Sequence, residues 1–303
     1  MSSITAIILT FNEEIHLERC IKSLQSFCAR ICVVDSFSTD NTVEIAKSLG
    51  ADVYQNKWEN NYAKQLNWAI ENCQISTAWT LRVDADEHFP IEIQQEISNK
   101  LNQVDEDVFG IELTRRIVFK GSMIRFGGFK EFKLLRIWRT GHGICEQRLM
   151  DEHIVLDEGK VVSFDHYLID ENLNSMHWWV NKHNNYARRE AADAINLEYH
   201  LMETTKLEEK SGVKEAILKR VLKNKVYHHL PLGLRPLLYF FYRFVIRLGF
   251  LDHPKVWIFH FMQGLWYRLL VDITIYELKN LAKGDVEVMK EIILNDWRIK
   301  FED

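Results

Sequence analysis

No C-x-x-C pair occurs in the 303 residues, and the five cysteines, Cys20, Cys28, Cys32, Cys73 and Cys145, are odd in number and mostly set in apolar patterns. That argues against a disulfide framework or a zinc site and predicts reduced core thiols. The opening MSSITAIILTFNEE has no basic region and its apolar run is too short for a signal peptide, so it reads as the first strand of a cytosolic protein. No G-x-G-x-x-G follows that strand and no G-x-x-x-x-G-K-S/T occurs anywhere, which removes the dinucleotide fingerprint and the Walker loop. Positive charge is not in excess: a net charge of -5 gives no reason to expect nucleic acid as a partner. No apolar run reaches the roughly twenty residues of a membrane-spanning helix. PLLYFFYRFVIRLGF and VWIFHFMQGLWYRLL are cut by Arg243, Arg247, His260 and Arg268. Low-complexity segments and convincing internal repeats are missing as well.

What is present is 47% hydrophobic and 27% charged residues, enough for one large core and a smaller appendage. ITAIILT and ICVVD read as buried strands, Ile15, Leu17, Ile21 and Leu24 as a helix face, and TDNTVEIAKSLG as a helix capped near Asp40 and ended by Gly50. ADVYQ and AWTLRVD continue the series, with NYAKQLNWAIENC a helix between them. This alternation predicts a parallel sheet covered by helices on both faces, which binds ligands beyond the carboxyl ends of its strands. Thr10 to Glu14, Asp35 to Asp40 and Asp84 to Glu87 all follow such ends.

WTLRVDADEHF sets two carboxylates two residues apart, Asp84 and Asp86, with Glu87 directly after them. Neighbouring carboxylates repel, so such a pair implies a shared proton, a basic partner or a bound cation, unless it lies in a solvated loop. An acidic edge needs a metal to hold phosphates. A divalent cation on Asp86, with Asp84 close by, would bridge to a diphosphate and stabilise its departure.

AIILTFNEEIHLERCIKSLQ, ICVVDSFSTDNTVEIAKSLGADV, YAKQLNWAI and WTLRVDADEHF resemble, in order and spacing, the family 2 inverting glycosyltransferases with the GT-A fold. Within that family the chain is most similar to the bacterial lipopolysaccharide-core β-1,4-glucosyltransferase branch and related capsule or exopolysaccharide transferases. MDEHIVLDEGKVVSFDHYL, WWVNKHNNYARREAAD and RPLLYFFYRFVIRLGFLD carry that likeness through most of the chain. The resemblance implies an α/β fold of GT-A (Rossmann-like) type, with a mostly parallel sheet flanked by helices over residues 1–200 and a C-terminal helical, membrane-associating region over 201–303. It implies inverting transfer of glucose or another hexose from a nucleoside diphosphate sugar, a UDP-sugar, to a lipid-linked glycan, with Mg2+ or Mn2+ as cofactor. A metal-dependent nucleotidyltransferase or phosphohydrolase, and a membrane scaffold with a degenerate transferase domain, are the rival readings.

Carried over position by position, the resemblance puts Thr10, Asn12 and Glu13 at the nucleotide and Asp35 at the base or ribose. Lys64, with Gln65 and Asn67, falls in a segment near the donor, or else on an exposed helix face. Asp84 and Ala85 fall on the donor and Asp86 on the metal, and His166 stands where a late histidine ligates the metal or contacts the diphosphate. Ser36 and Phe37 replace an acidic residue and a glycine of the usual Asp-Asp-Gly-Ser. Asp151 and Glu152 match the motif of the base that takes the proton from the acceptor hydroxyl. Asp151 is favoured, because Ile154 then takes the apolar position that follows, with Glu152 the alternative.

Trp179, His183, Tyr186 and Glu190 recur at helical spacing and form one face. Between Lys214 and Arg247, Lys219, Arg220, Lys223, Lys225, Arg235 and Arg243 interleave with Leu, Phe and Tyr. That composition predicts a basic amphipathic segment lying on the anionic cytoplasmic face of the inner membrane, a peripheral attachment. Helices packed on the catalytic domain, or a dimer interface, are the alternative.

Overall fold

The computed structural model describes residues 3–128, 132–146, 152–199, 201 and 230–299. These fall into two compact units, the first within Met1–Ile124, Phe129–Gln147 and Glu152–Leu173, the second within Arg125–Gly128 and Asn174–Asp303.

The first unit opens with β1 (Ile4–Thr10), α1 (Leu17–Leu24), β2 (Arg30–Asp35), α2 (Thr42–Ser48), β3 (Asp52–Gln55), α3 (Tyr62–Asn72) and β4 (Trp79–Asp84). It continues through β5 (Glu87–His88), α4 (Ile91–Lys100), β6 (Val108–Phe119), β7 (Ser122–Met123), β8 (Phe132–Arg139), β9 (Gly143–Cys145), β10 (Ile154–Leu156) and β11 (Lys160–Asp170). The main sheet has the order β3-β2-β1-β4-β8-β6-β11-β5, with β7 beside β6, and β9 pairs with β10. From β3 to β4 all pairings are parallel, as the alternation predicts. β8 then runs antiparallel to both β4 and β6, and β11 lies parallel to β6. The fold class expected from the sequence, a mixed but largely parallel sheet between helices with further helices after it, is the one observed.

Strand alternation explains why β1 carries apolar residues on both faces. Ile4, Ala6 and Ile8 pack in one core with Leu17, Cys20, Ile21 and Leu24 of α1, whereas Ile7 packs in another with Leu66 and Ala69 of α3. Asp40 accepts from Thr42 N at 3.0 Å at the start of α2, and Asn61 accepts from Lys64 N at 2.9 Å at the start of α3. In-register pairing sets Thr10 opposite Asp35 and Leu9 opposite Asp84, so the ends of β1, β2 and β4 form one edge.

The second unit contains α5 (Met176–Tyr199), α6 (Leu234–Phe241), α7 (Pro254–Phe261), α8 (Tyr267–Leu281) and α9 (Val286–Glu291). Ala187, Ala191 and Ile195 of α5 pack with Val271, Ile275 and Leu278 of α8. The 125–128 segment is clamped here: Asp252 accepts from Arg125 N at 2.9 Å and Phe126 N at 3.2 Å, and Arg243 Nε donates to Gly127 O at 2.8 Å. Gly127 has φ +70°, and a Cβ there would lie 2.4 Å from His260 Cε1, so a side chain is excluded twice over. Arg235 and Arg243, expected on a basic surface, are instead buried; Arg235 Nε donates to Asp272 at 2.6 Å. A buried cation is tolerated only when paired, and these two take their partners from within the unit. Lys219, Arg220, Lys223 and Lys225 lie outside the described residues.

Candidate functional site

The β1 and β2 ends are tied by a short polar chain. Thr10 Oγ1 donates to Asp35 Oδ1 at 3.1 Å, both residues being buried. Asp35 also accepts from Ser38 N at 2.8 Å and Ser38 Oγ at 2.5 Å. Ser38 Oγ in turn accepts from Asn12 N, and Asn12 Oδ1 accepts from Thr39 N, each at 2.8 Å. Asn12 and Phe37 both have left-handed backbone, φ 55° and 61°, which Asn tolerates and Phe does not favour. Phe11 and Phe37 stand more than half exposed at this edge.

The β4 end shows what makes the acidic pair tolerable. Strand β4 stops at Asp84, and Ala85 and Asp86 form the turn to β5, so Asp86 sits in a turn and not on the strand. Tyr62 OH donates to Asp84 Oδ1 at 2.8 Å, Arg136 Nη2 donates to Asp84 Oδ2 at 3.2 Å, and Arg82 Nε lies 3.8 Å from Asp84 Oδ1. Burial alone would raise the Asp84 pKa, but Arg136, Arg82 and the Tyr62 hydroxyl outweigh it and hold the carboxyl well below the usual range. The buried Arg136 also bonds Glu87, whose other oxygen accepts from Asp84 N at 3.1 Å. Burial pushes Glu87 up to about 8, with Asp84 adding to the rise and Arg136 opposing it. Of the alternatives the sequence left open, a basic partner is therefore present at Asp84.

Asp86 is held differently. Asn172 Nδ2 donates to Asp86 Oδ2 at 3.1 Å, while the Asp86 carbonyl accepts from Glu171 N at 3.1 Å and from Arg19 Nη2 at 3.3 Å. Arg19 grips Glu171 through its carboxylate at 2.6 Å and its carbonyl at 2.7 Å. Leu173 N donates to His16 Nε2 at 2.9 Å, which leaves Nδ1 to carry the proton and donate to Glu13 Oε2 at 2.6 Å. Residues 171–173 thus form a strap from the end of β11 to α1, with Asn172 laid on Asp86. Burial and the Asp86 charge push the neighbouring Asp170 up to about 6, against the pull of Arg115.

Thr10, Asn12, Glu13, Asp35, Asp84, Ala85 and Asp86 are accordingly brought to one edge. Lys64 lies in the first turn of α3 with Nζ 3.5 Å from Glu59. Glu152 is linked to the same edge through its carbonyl, which accepts from Arg82 Nη1 at 3.3 Å while Arg82 stacks 4.3 Å from the Tyr62 ring. Asp151 lies outside the described residues. His166 is not brought to Asp86. It pairs with Glu96 of α4 at 3.0 Å, and four residues of strand, roughly 13 Å, separate it from Asp170 at the end of β11. The residue that does reach Asp86 is Asn172. Sequence reasoning also missed Tyr62, Arg136 and Arg19, which meet the edge through tertiary pairing that leaves no local signature, and His16, whose bond to Glu13 is local but whose bond to Leu173 is not.

A family model described as Glycosyl transferase family 2 matches residues 5–157. Among curated relatives, an uncharacterized glycosyltransferase of Rickettsia typhi is 35% identical over 122 residues, 40% of this chain and 41% of that protein. The lipopolysaccharide core biosynthesis glycosyltransferase LpsC of Rhizobium meliloti is 32% identical over 164 residues, 52% of this chain and 58% of its own. The chain spans about half the length of the curated relatives it matches. Among solved structures, glucosyl-3-phosphoglycerate synthase from Mycobacterium tuberculosis, in complex with Mn2+, uridine diphosphate and glucosyl-3-phosphoglycerate, aligns with a TM-score of 0.32 and 20% identity, covering 37% of this chain and 44% of that one.

Proposed function

Because the chain belongs to glycosyl transferase family 2, we propose that it moves a hexose, glucose in the first instance, with inversion from a UDP-sugar to a lipid-linked glycan such as a lipopolysaccharide-core, capsule or exopolysaccharide precursor. The observation that carries this reading is the convergence of the Thr10–Asp35 pair and the Asp84–Asp86 turn on one carboxyl edge. The similarity to LpsC supports the lipopolysaccharide-core acceptor. Thr10, Asn12, Glu13 and Asp35 would hold the nucleotide, with Lys64, Asp84 and Ala85 beside the sugar and diphosphate.

Asp86 is the residue to hold Mg2+ or Mn2+. Its Oδ2 is engaged by Asn172, and its Oδ1 takes no hydrogen bond among the described residues. Hard oxygen donors with a second acidic group, Asp170, close by suit a hard divalent cation. Bound there, such an ion supplies neutralisation of the charge that grows on the departing diphosphate. Asp84 has both oxygens occupied by Tyr62 and Arg136, which suits a fixed anion that orients the turn. Asp151 or Glu152 would remove the acceptor hydroxyl proton as that oxygen attacks the anomeric carbon. Arg82, bonded to the Glu152 carbonyl, fixes the distance between that segment and Asp84. The acceptor calls for peripheral attachment to the anionic cytoplasmic face of the inner membrane. Among the described residues no helix is long and apolar enough to cross a membrane.

Incubation with a panel of sugar nucleotides and a lipid-linked acceptor tests the reading. Release of a nucleoside diphosphate with glycosylated acceptor supports it. Release of sugar 1-phosphate in place of the nucleoside diphosphate would mark a nucleotidyltransferase or phosphohydrolase, and no release with any donor would leave a scaffold.

A further inference from the structure

The second unit is built inside out along α6. Leu234, Leu237, Leu238 and Phe241 recur at three- and four-residue spacing, the pattern that normally seeks a core, yet all four are exposed, Phe241 to 55%. The buried positions of the same segment are Arg235, Pro236 and Arg243. The exposed apolar series continues through Ile246, at 60%, and on to Trp257, Ile258 and Phe261 of α7. Soluble proteins rarely leave so large an apolar surface to water.

Charge says what covers it. From Pro231 to Phe261 the sequence holds one carboxylate, Asp252. It is buried, spent on Arg125 N, Phe126 N and His260. The exposed charges of this stretch are Arg247 and Lys255, both positive, beside an exposed His253. Trp257 Nε1 donates to the carbonyls of Phe250 and Asp252, both at 3.1 Å, so the turn between the helices is locked and needs no refolding to present its apolar side chains. An apolar face with a cationic margin and no exposed carboxylate complements an anionic lipid leaflet.

We propose that the α6–α7 face inserts into the acyl boundary of an anionic bilayer, holding the protein as a monotopic membrane protein through apolar contact more than through basic charge. The inference deepens the lipid-linked acceptor reading and rests on it only for its purpose, since the contact itself is independent of donor chemistry. Arg235 and Arg243 take no part, because both are buried and bonded inside the unit.

Flotation of the full-length protein with vesicles of phosphatidylethanolamine and phosphatidylglycerol tests it, with calorimetric UDP binding measured on the same samples. The protein should float at low salt and still float in molar salt, where charge contacts are screened. Ile246→Glu with Ile258→Glu should weaken vesicle binding at least about tenfold with UDP binding unchanged. A second arm requires no loss of apolar residues: a nitrobenzoxadiazole label on Ile246→Cys should shift to the blue on vesicles and be quenched by brominated lipid, while the same label on Lys22→Cys should not. Free protein in molar salt, an unquenched label at position 246, or a dimer in lipid-free buffer that Ile246→Glu dissociates without changing flotation, would each overturn the proposal, the last in favour of a second copy on this face. Flotation without UDP binding would uphold this inference and remove the transferase reading instead.

Discussion

Arg136 is the residue on which the acidic edge turns, since one guanidinium serves both Asp84 and Glu87. Their titrations split: burial and the Asp84 charge push Glu87 high, whereas at Asp84 the pull of Arg136, Arg82 and Tyr62 outweighs burial. Glu87, raised from 4.5 to about 8, keeps its proton in the folded state over a range where the unfolded chain has lost it. Its contribution therefore makes stability fall as pH rises between those values. Glu87→Gln should flatten that part of the pH dependence in denaturant unfolding; an unchanged slope would place the titration elsewhere. Phe37 poses the second residue question. Its left-handed backbone costs about 1–2 kcal/mol, a strain that persists only where something needs the ring. Phe37→Gly should leave stability unchanged or raise it by up to about 1 kcal/mol, yet weaken UDP binding by about 1–3 kcal/mol if the ring stacks on the base. Thermal melts and calorimetry on one sample separate the two. The D-x-D pair was legible in the sequence because it is local. Arg136 and Asn172 were not, being 52 and 86 residues from the aspartates they contact.

At the scale of elements, the strap from the end of β11 to α1 decides how Asp86 is presented. Arg19 and His16 anchor it, and Asn172 rests on the carboxylate between those anchors. Groups that orient a metal carboxylate typically matter about 10- to 100-fold for affinity. Asn172→Ala should accordingly weaken Mn2+ binding by about tenfold in a paramagnetic resonance titration, with little change in melting temperature; unaltered Mn2+ affinity would make the strap a packing feature alone. The parallel half of the sheet was readable because β1 and β2 carry apolar runs at residues 6–9 and 31–34, divided by an amphipathic helix. β6, β8 and β11 mix Arg and Lys into their strands, and the buried sides of those residues appear only once β8 lies between β4 and β6. The stripe on α6 was visible as periodicity. Periodicity identifies a face without saying whether core, lipid or water meets it, and of the basic residues assigned to the surface Arg235 and Arg243 are buried, the other four lying outside the described residues.

For the whole molecule, a family 2 domain with an acidic carboxyl edge and a helical unit with an apolar exterior suit a transferase whose donor is dissolved and whose acceptor is anchored in lipid. The net charge of -5 would repel an anionic surface, so any membrane contact has to be local and apolar, as the α6–α7 face provides. The central claim is narrower: Asp86 binds the cation through which the edge holds a nucleoside diphosphate. Titration of UDP into the full-length protein by calorimetry, with and without Mn2+, and into Asp86→Ala under the same conditions, tests it most directly. The account predicts that Mn2+ tightens UDP binding by at least about tenfold in the natural protein, and that Asp86→Ala loses this gain while its melting temperature stays in place. Metal-enhanced UDP binding that survives in Asp86→Ala, or that is absent from the natural protein, would contradict it.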